Sequence, residues 1–139
     1  RTRETAQPLA LARGLPVTVA EAFDEVDLGA WSGRTFEEVR GTPAWEHWLA
    51  SRSTAQPPGG EPFAQVAQRA MAGLRALQER HPQGRVIVFS HADVIKAAVA
   101  GVLGLSLDHL ERFEIAPVSV TEVAIGADWM QLRGLNRLA

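Results

Sequence analysis

A histidine at the end of a predicted strand is the clearest candidate for chemistry in this chain. Arg85 to Phe89 is a continuous β-branched and aromatic run, typical of a strand covered on both faces, and Ser90-His91-Ala92 then leads into an apolar helix. A helix that follows a strand offers free N–H groups and a positive dipole end to an anion. His91 would lie at that point. The alternative, a histidine that caps the helix or a buried edge, stays open on spacing alone.

Other groupings of reactive side chains give weaker signals. Glu25 is one of several acids in the segment from Glu21 to Gly33, and a solvated loop is the simpler interpretation of that composition. Ser90 and Asp93 do not complete a catalytic triad with His91, because side chains so close in sequence leave the backbone in different directions. The remaining histidines have no metal-ligand spacing, so we expect no metal site and place them at the surface; they are His47, His81 and His109.

The elements that would position these residues alternate between helices and β-prone runs. Helical patterns cover Thr2 to Arg13, Thr35 to Gly41 with a capping box, Ala44 to Ala50, the amphipathic stretch from Phe63 to Leu77, and Val94 to Leu103. Predicted strands cover Val17 to Val19, Val86 to Phe89, and a terminal hairpin of Ser119 to Ile125 with Trp129 to Arg133. This order predicts an α/β fold, a three-layer αβα sandwich with a mostly parallel central sheet, in a single domain over residues 1–139.

Composition excludes several classes of function. The chain has 139 residues and a net charge of -2, so no general field attracts nucleic acid or an anionic membrane. The apolar stretch from Val94 to Leu105 is interrupted by Lys96 and is shorter than the roughly 18 residues of a membrane span. Cysteine is absent, which excludes disulfides, thiolate nucleophiles and cysteine-based zinc sites.

Several segments together resemble the histidine phosphatase (phosphoglycerate mutase-like) superfamily, and the resemblance covers essentially the whole chain. In chain order they are Arg1 to Ala6 for R-A-x-x-T-A, Glu25 to Gly33 for E-x-x-x-G-x-W-x-G, Pro57 to Glu61 for P-G-G-E-S, and Val86 to His91 for the second histidine motif. Each motif alone is a weak signal. Their shared order makes the resemblance specific.

The resemblance implies a phosphate pocket and a role for each residue in it. Arg1 and His91 would bind the transferring phosphoryl group, with a contribution from the backbone N–H of Ala92. Glu25 would act as general acid to the leaving oxygen. The physical chemistry of these residue types agrees with each role, and no metal or organic cofactor is implied.

Two further residues are candidates for the substrate pocket, and one position departs from the family pattern. The candidates are Trp31 and Glu61, although packing is the default role of Trp31, as of Trp45 and Trp48. Where the family usually has glycine after its second histidine, this chain has Ala92. That change keeps the amide and adds a methyl group, so we expect it to be tolerated.

The family's nucleophile, a histidine in an Arg-His-Gly motif, has no counterpart in this sequence. In the family its strand precedes the segment equivalent to Arg1 and lies beside the strand that ends at Ser90. The absent strand, helix and second strand would amount to about 40 to 60 residues. We therefore expect the N-terminal strands of the fold to lie outside this chain. The chain alone is predicted to be inactive, with Val86 to Phe89 as an exposed edge.

The implied function is the hydrolysis of phosphomonoesters through a phosphohistidine intermediate, by a histidine-type phosphatase in the complete protein. Two alternatives stay open: a cofactor-dependent phosphoglycerate mutase, which is an isomerase, and a non-catalytic phosphate-binding or regulatory domain that has lost the nucleophile. Phosphatase is preferred because the segment between Glu25 and His91 lacks the long insertion of true mutases. The expected partner is a small phosphomonoester in the cytoplasm, with no nucleic acid or membrane partner. The oligomeric state is left open, with a homodimer as one option.

Overall fold

The computed structural model describes residues 1–138 as a mixed α/β fold. Its α-helices are α1 (Thr2–Arg13), α2 (Phe36–Val39), α3 (Pro43–Ala50), α4 (Phe63–Arg80) and α5 (Ala92–Leu103), with short 3-10 helices at Glu21–Phe23, Gly29–Trp31 and Leu107–Arg112. The strands β1 (Val120–Ile125) and β2 (Met130–Arg137) pair as an antiparallel hairpin, with register irregularities near Glu122. Among these residues, no helix combines the length and the apolar character that crossing a membrane requires.

The ends of the helices follow local sequence signals. Gly14 ends α1 with a left-handed φ of 62°, and Gly104 ends α5 with a φ of 65°. At the start of α2, the Glu38 carboxylate accepts the N–H of Thr35 at 2.7 Å, while the Glu38 N–H donates to the Thr35 hydroxyl. The backbone hydrogen bond from Thr35, assisted by its hydroxyl, lowers the pKa of Glu38. The predicted capping box is confirmed.

The core forms where α4 packs against α5. On the predicted apolar stripe of α4, the side chains of Phe63, Val66 and Ala70 are fully buried. They belong to one cluster with Val94 and Ala97 of α5. Complete burial of a side chain such as Val or Phe contributes about 1.5 to 3 kcal/mol. The packed pair of helices therefore supports the loops that lead into α4 and α5.

The predicted strands Val17 to Val19 and Val86 to Phe89 do not form within residues 1–138, where the hairpin is the one sheet. β-branched residues favour a strand, but a strand also needs a hydrogen-bonding neighbour, and no other described segment pairs with either run. The exposure predicted for the second run is confirmed at Val86 to Val88, with Ile87 63% exposed. The parallel three-layer sandwich stays a prediction.

Exposure of this apolar run is expected to make the isolated 139-residue chain self-associate, since unpaired β-prone backbone favours pairing with a second chain. The substitution Ile87→Lys should shift the chain toward monomer at equal concentration in sedimentation velocity. Leu103→Lys is the matched control, because Leu103 is also exposed but lies at the end of α5. Clean monomeric behaviour of the unmodified chain would contradict the prediction.

One carboxylate fastens the loop after α3 to the 3-10 helix after α5. The N–H and Oγ of Ser53 donate to the two oxygens of Asp108 at 2.8 and 2.9 Å. These hydrogen bonds, the backbone one first, lower the pKa of Asp108. Because the folded-state pKa lies below the unfolded-state value, the stabilisation is present above the unfolded-state pKa. It is lost as pH falls through the folded-state pKa.

The variant Asp108→Asn is therefore expected to lose part of the acid dependence of stability. Urea unfolding at several pH values between about pH 5 and pH 2 should give a shallower decline than in the unmodified protein. Asp128→Asn is the control, because within residues 1–138 no hydrogen bond engages the Asp128 carboxylate. Parallel curves for Asp108→Asn and the unmodified protein would show that the Asp108 carboxylate does not contribute to the acid dependence of stability.

Candidate active site

His91 and Glu25, distant in sequence, meet at the N-terminus of α5. The Nδ1 atom of His91 lies 3.1 Å from Oε2 of Glu25. At this distance one hydrogen bond joins the imidazole nitrogen and the carboxyl oxygen, and the proton can be carried by either atom. His91 occupies the N-cap position, but its imidazole makes no capping hydrogen bond to the described part of α5. The alternative that His91 caps the helix is therefore correct for the position of the residue, but the structure shows no capping role for its side chain.

The Glu25 carboxylate is held at both oxygens and remains accessible. Its Oε1 accepts the N–H of Val26 at 3.0 Å, while Oε2 contacts His91. The Glu25 side chain is 41% exposed and that of His91 is 18% exposed. A solvated loop explains the exposure of Glu25 but not its contact with a histidine. The pair can therefore exchange a proton and still be reached by a ligand.

The acidic loop (residues 21–33), which carries this carboxylate, is docked against a glycine-containing turn through backbone atoms. The N–H of Ala30 donates to the carbonyl of Pro58 at 2.8 Å. The two segments approach so closely that a Cβ atom on Gly60 would lie 2.3 Å from the carbonyl oxygen of Asp27. Glycine at position 60 is therefore a requirement of the contact, beyond the role in a turn that composition alone predicts.

A guanidinium on α4 bridges the same turn to the acidic loop. Arg69 donates from Nε and Nη2 to the two oxygens of Glu61, at 2.8 and 3.0 Å. Its Nη1 donates to the carbonyl of Ala22 at 3.0 Å, and Nη2 to the carbonyl of Glu25 at 3.2 Å. Glu61, a sequence candidate for the substrate pocket, thus uses both carboxylate oxygens to bind Arg69.

Two further contacts anchor the residues on either side of His91. The Ser90 hydroxyl donates to the carbonyl of Phe23 at 2.7 Å, which ties the segment before α5 to the acidic loop. Asp93, in the first turn of α5, lies 3.4 Å from the guanidinium of Arg52, which stacks 4.1 Å above the Trp48 ring. Burial lowers the pKa of Arg52, and the nearby carboxylate opposes that shift.

The sequence predicted Glu25 and His91 as site residues but did not indicate the arginines that hold the segments around them. Neither Arg69 nor Arg52 was assigned a role from the sequence. Glu61 lies eight residues before Arg69 and precedes α4. Because this interval is not entirely helical, the spacing does not predict that the two side chains meet. Only the folded chain shows that these side chains organise a site.

The structure leaves Arg1 outside this arrangement. Arg1 is exposed at the start of α1, and no hydrogen bond or ion pair within residues 1–138 joins its guanidinium to Glu25 or His91. Ala92 is the first residue of α5, beside His91 in the chain. A role of Arg1 and Ala92 in phosphate binding stays a prediction.

The tryptophans belong mainly to the core. Trp31 and Trp48 pack edge to face with ring centroids 5.8 Å apart, and both are buried. Trp45 is partly buried and contacts Trp31 in the same way, at 5.7 Å. The packing role predicted for them is confirmed. A role of Trp31 in the substrate pocket stays a prediction, and only the small exposed part of its ring is available for it.

The other histidines lie away from any cluster of metal-binding side chains. His47 and His81 are exposed, as predicted, whereas His109 is partly buried. In the part of the chain that the structure describes, no three His, Asp or Glu side chains are grouped as ligands of a metal ion.

The site thus combines an imidazole and a carboxylate, two groups able to carry a proton, at the N-terminus of a helix. Residues 1–137 match the family model of the histidine phosphatase superfamily (branch 1). The chain belongs to that superfamily, which confirms the resemblance carried by its motifs.

Comparison with individual proteins agrees with this assignment. The chain is 31% identical over 115 residues to phosphoserine phosphatase 1 of Hydrogenobacter thermophilus, covering 81% of this chain and 54% of the relative. It is 25% identical over 141 residues to adenosylcobalamin/alpha-ribazole phosphatase of Escherichia coli, covering 100% of this chain and 70% of the relative. The solved structure of YhfR from Bacillus stearothermophilus matches with a TM-score of 0.92 at 27% identity, over 100% of this chain and 70% of that one. The chain thus spans about half the length of the first of these relatives.

Proposed function

We propose that this chain is part of a phosphomonoester hydrolase that works through a phosphohistidine intermediate. The observation that carries the proposal is the 3.1 Å contact between His91 Nδ1 and Glu25 Oε2 at the N-terminus of α5. Transfer of a phosphoryl group needs a positive partner for its oxygens and a proton for the leaving group, and this pair can supply both. Two of the matched relatives are named as phosphatases.

Each group in the proposed site has a distinct task. His91 binds a phosphoryl oxygen through Nε2, because its Nδ1 is engaged by Glu25. The N–H of Ala92, in the first turn of α5, adds a donor at the positive end of the helix. Arg1 adds a planar fork of donors, an assignment that rests on the R-A-x-x-T-A motif.

The nucleophile is proposed to be a histidine outside these 139 residues, on a strand beside Val86 to Phe89. Its ring nitrogen forms a bond to phosphorus while the ester P–O bond breaks, and the protonated Glu25 gives its proton to the leaving oxygen. Water then forms a P–O bond as the P–N bond breaks, and Glu25 takes up the proton of that water. The exposed runs at Val17 to Val19 and Val86 to Val88 support a sheet completed by this strand, which would form the three-layer sandwich.

A steady-state screen of phosphomonoesters with the complete enzyme tests this function, with phosphoglycerate mutase activity measured in parallel. We expect hydrolysis and a base-stable phosphorylated protein after an alkaline quench. Mutase turnover faster than hydrolysis would overturn the phosphatase assignment. Absence of both activities would favour the non-catalytic alternative.

The isolated chain provides a second test. It should bind inorganic phosphate or vanadate weakly, through His91 and its neighbours, and show no turnover. Hydrolysis by rigorously pure material of these 139 residues would show that the nucleophile lies within them.

A further inference from the structure

We propose that Arg69 is a positioning residue that sets the Glu25 carboxylate against His91. The predicted effect of Arg69 on reaction rates rests on the proposed function. Its predicted effect on the contact between Glu25 and His91 does not. Arg69 itself binds no part of the proposed substrate. It acts through the backbone of the acidic loop, which it reaches from α4.

The hydrogen bonds of Arg69 enclose the part of the loop that leads to the carboxylate. Its guanidinium binds the carbonyl of Ala22 at 3.0 Å and that of Glu25 itself at 3.2 Å, so both ends of this short segment are fixed. Oε1 of Glu25 is then held by the N–H of Val26 at 3.0 Å. With the main chain and one oxygen fixed, Oε2 is left to contact His91 at 3.1 Å.

The guanidinium can direct the loop because its own orientation is fixed. Glu61 accepts Nε and Nη2 of Arg69 as a bidentate pair at 2.8 and 3.0 Å, and the two side chains are only 22% and 18% exposed. A lysine at this position would keep the charge but has a single ammonium group. It cannot bind both carboxylate oxygens and two carbonyls in one plane. The substitution Arg69→Lys therefore removes this set of hydrogen bonds to Glu61 and the two carbonyls but retains the positive charge.

A purely structural role for Arg69 predicts a different outcome from a positioning role. Loss of stability alone lowers the folded fraction, so it slows all substrates equally. Displacement of a general acid slows substrates according to how much their leaving group needs a proton. Alkyl phosphates release a basic alkoxide oxygen and need the acid, whereas p-nitrophenyl phosphate releases a weakly basic phenolate and needs it little.

The test compares kcat/KM for an alkyl phosphate and for p-nitrophenyl phosphate in the complete enzyme, because kcat/KM reports the phosphoryl transfer that releases the leaving group and excludes the later hydrolysis step common to both esters. For Arg69→Lys we expect a loss on the order of tenfold with the alkyl ester and less than about threefold with the aryl ester. The double variant Arg69→Lys with Glu25→Gln should be no slower than Glu25→Gln alone, because both changes remove the same step. Arg75→Lys is the matched control: Arg75 lies on the same helix but donates to the carbonyl of Ala127 at 3.3 Å, and both rates should stay unchanged.

Equal losses with the two esters, or no loss, would overturn the positioning role while leaving the proposed function intact. A wild-type enzyme that hydrolyses neither ester would refute the proposed function instead. In that case the positioning role of Arg69 is tested by the ¹⁵N chemical shift of His91 Nδ1, measured at the same pH in each variant. This shift should move in Arg69→Lys toward its position in Glu25→Gln, and an unchanged resonance would refute the positioning role.

Discussion

Replacement of Glu25 by glutamine is expected to slow hydrolysis of an alkyl phosphate by the complete enzyme about 100-fold. Glutamine has nearly the same shape and can still accept the Val26 N–H, but it cannot give a proton to the leaving oxygen. The kcat/KM for p-nitrophenyl phosphate should fall much less, because its leaving group needs little protonation during phosphoryl transfer to the enzyme. Steady-state kcat/KM for the two esters measures the difference, because kcat also includes the later step in which Glu25 takes up the proton of water.

Asp24→Asn is the matched control for this prediction. Asp24 is an exposed acid directly before Glu25, so its loss changes the charge of the acidic loop by the same amount. We expect less than a twofold change in either rate. A comparable loss in Asp24→Asn would mean that the general charge of the loop, rather than the proton on Glu25, influences the reaction.

The variant Gly60→Ala is expected to lose about 3 kcal/mol of stability. A methyl group at this position would lie 2.3 Å from the carbonyl of Asp27 and 2.9 Å from the N–H of Gly29, so the turn must separate from the acidic loop. That separation also breaks the hydrogen bond from Ala30 to Pro58. Urea unfolding followed by tryptophan fluorescence measures the loss.

The neighbouring Gly59→Ala separates the effect of this contact from that of backbone conformation. Gly59 has a left-handed φ of 69°, but no atom lies within 4 Å of the added methyl group. We expect a loss of about 1 kcal/mol from the backbone conformation alone. If Gly60→Ala is no less stable than Gly59→Ala, the close approach of the two segments does not stabilise the fold.

The helices could be predicted from sequence because their signals are local. The apolar stripe that begins at Phe63, the left-handed glycine at position 14 and the capping box at Thr35 each act within a few residues. The run from Val86 to Phe89 shows the limit of such reasoning. Its composition favours a strand, but a ladder depends on a neighbour that local sequence does not specify.

The site was predictable only in part, and for the same reason. Spacing suggested an anion site at His91 but gave Glu25 no preference over its neighbouring acids, and the family motifs were needed to select it. No pattern in the sequence indicated that Arg69 binds the carbonyls of the acidic loop. That contact depends on the packing of α4 beside the loop, which is a property of the whole fold.

The bridge formed by Arg69 also has a consequence for the order of folding. Its hydrogen bonds to the acidic loop join residues 44 to 48 positions apart, and the bond from Ser90 to Phe23 joins residues 67 apart. The entropy lost on closing a chain segment grows with its length, whereas a helix such as α4 forms from local contacts within microseconds. The acidic loop is thus expected to gain its final position late, after α4 offers the guanidinium that holds it. The carboxylate and the imidazole would come together in one of the last events of folding, and the same loop would be among the first segments to open.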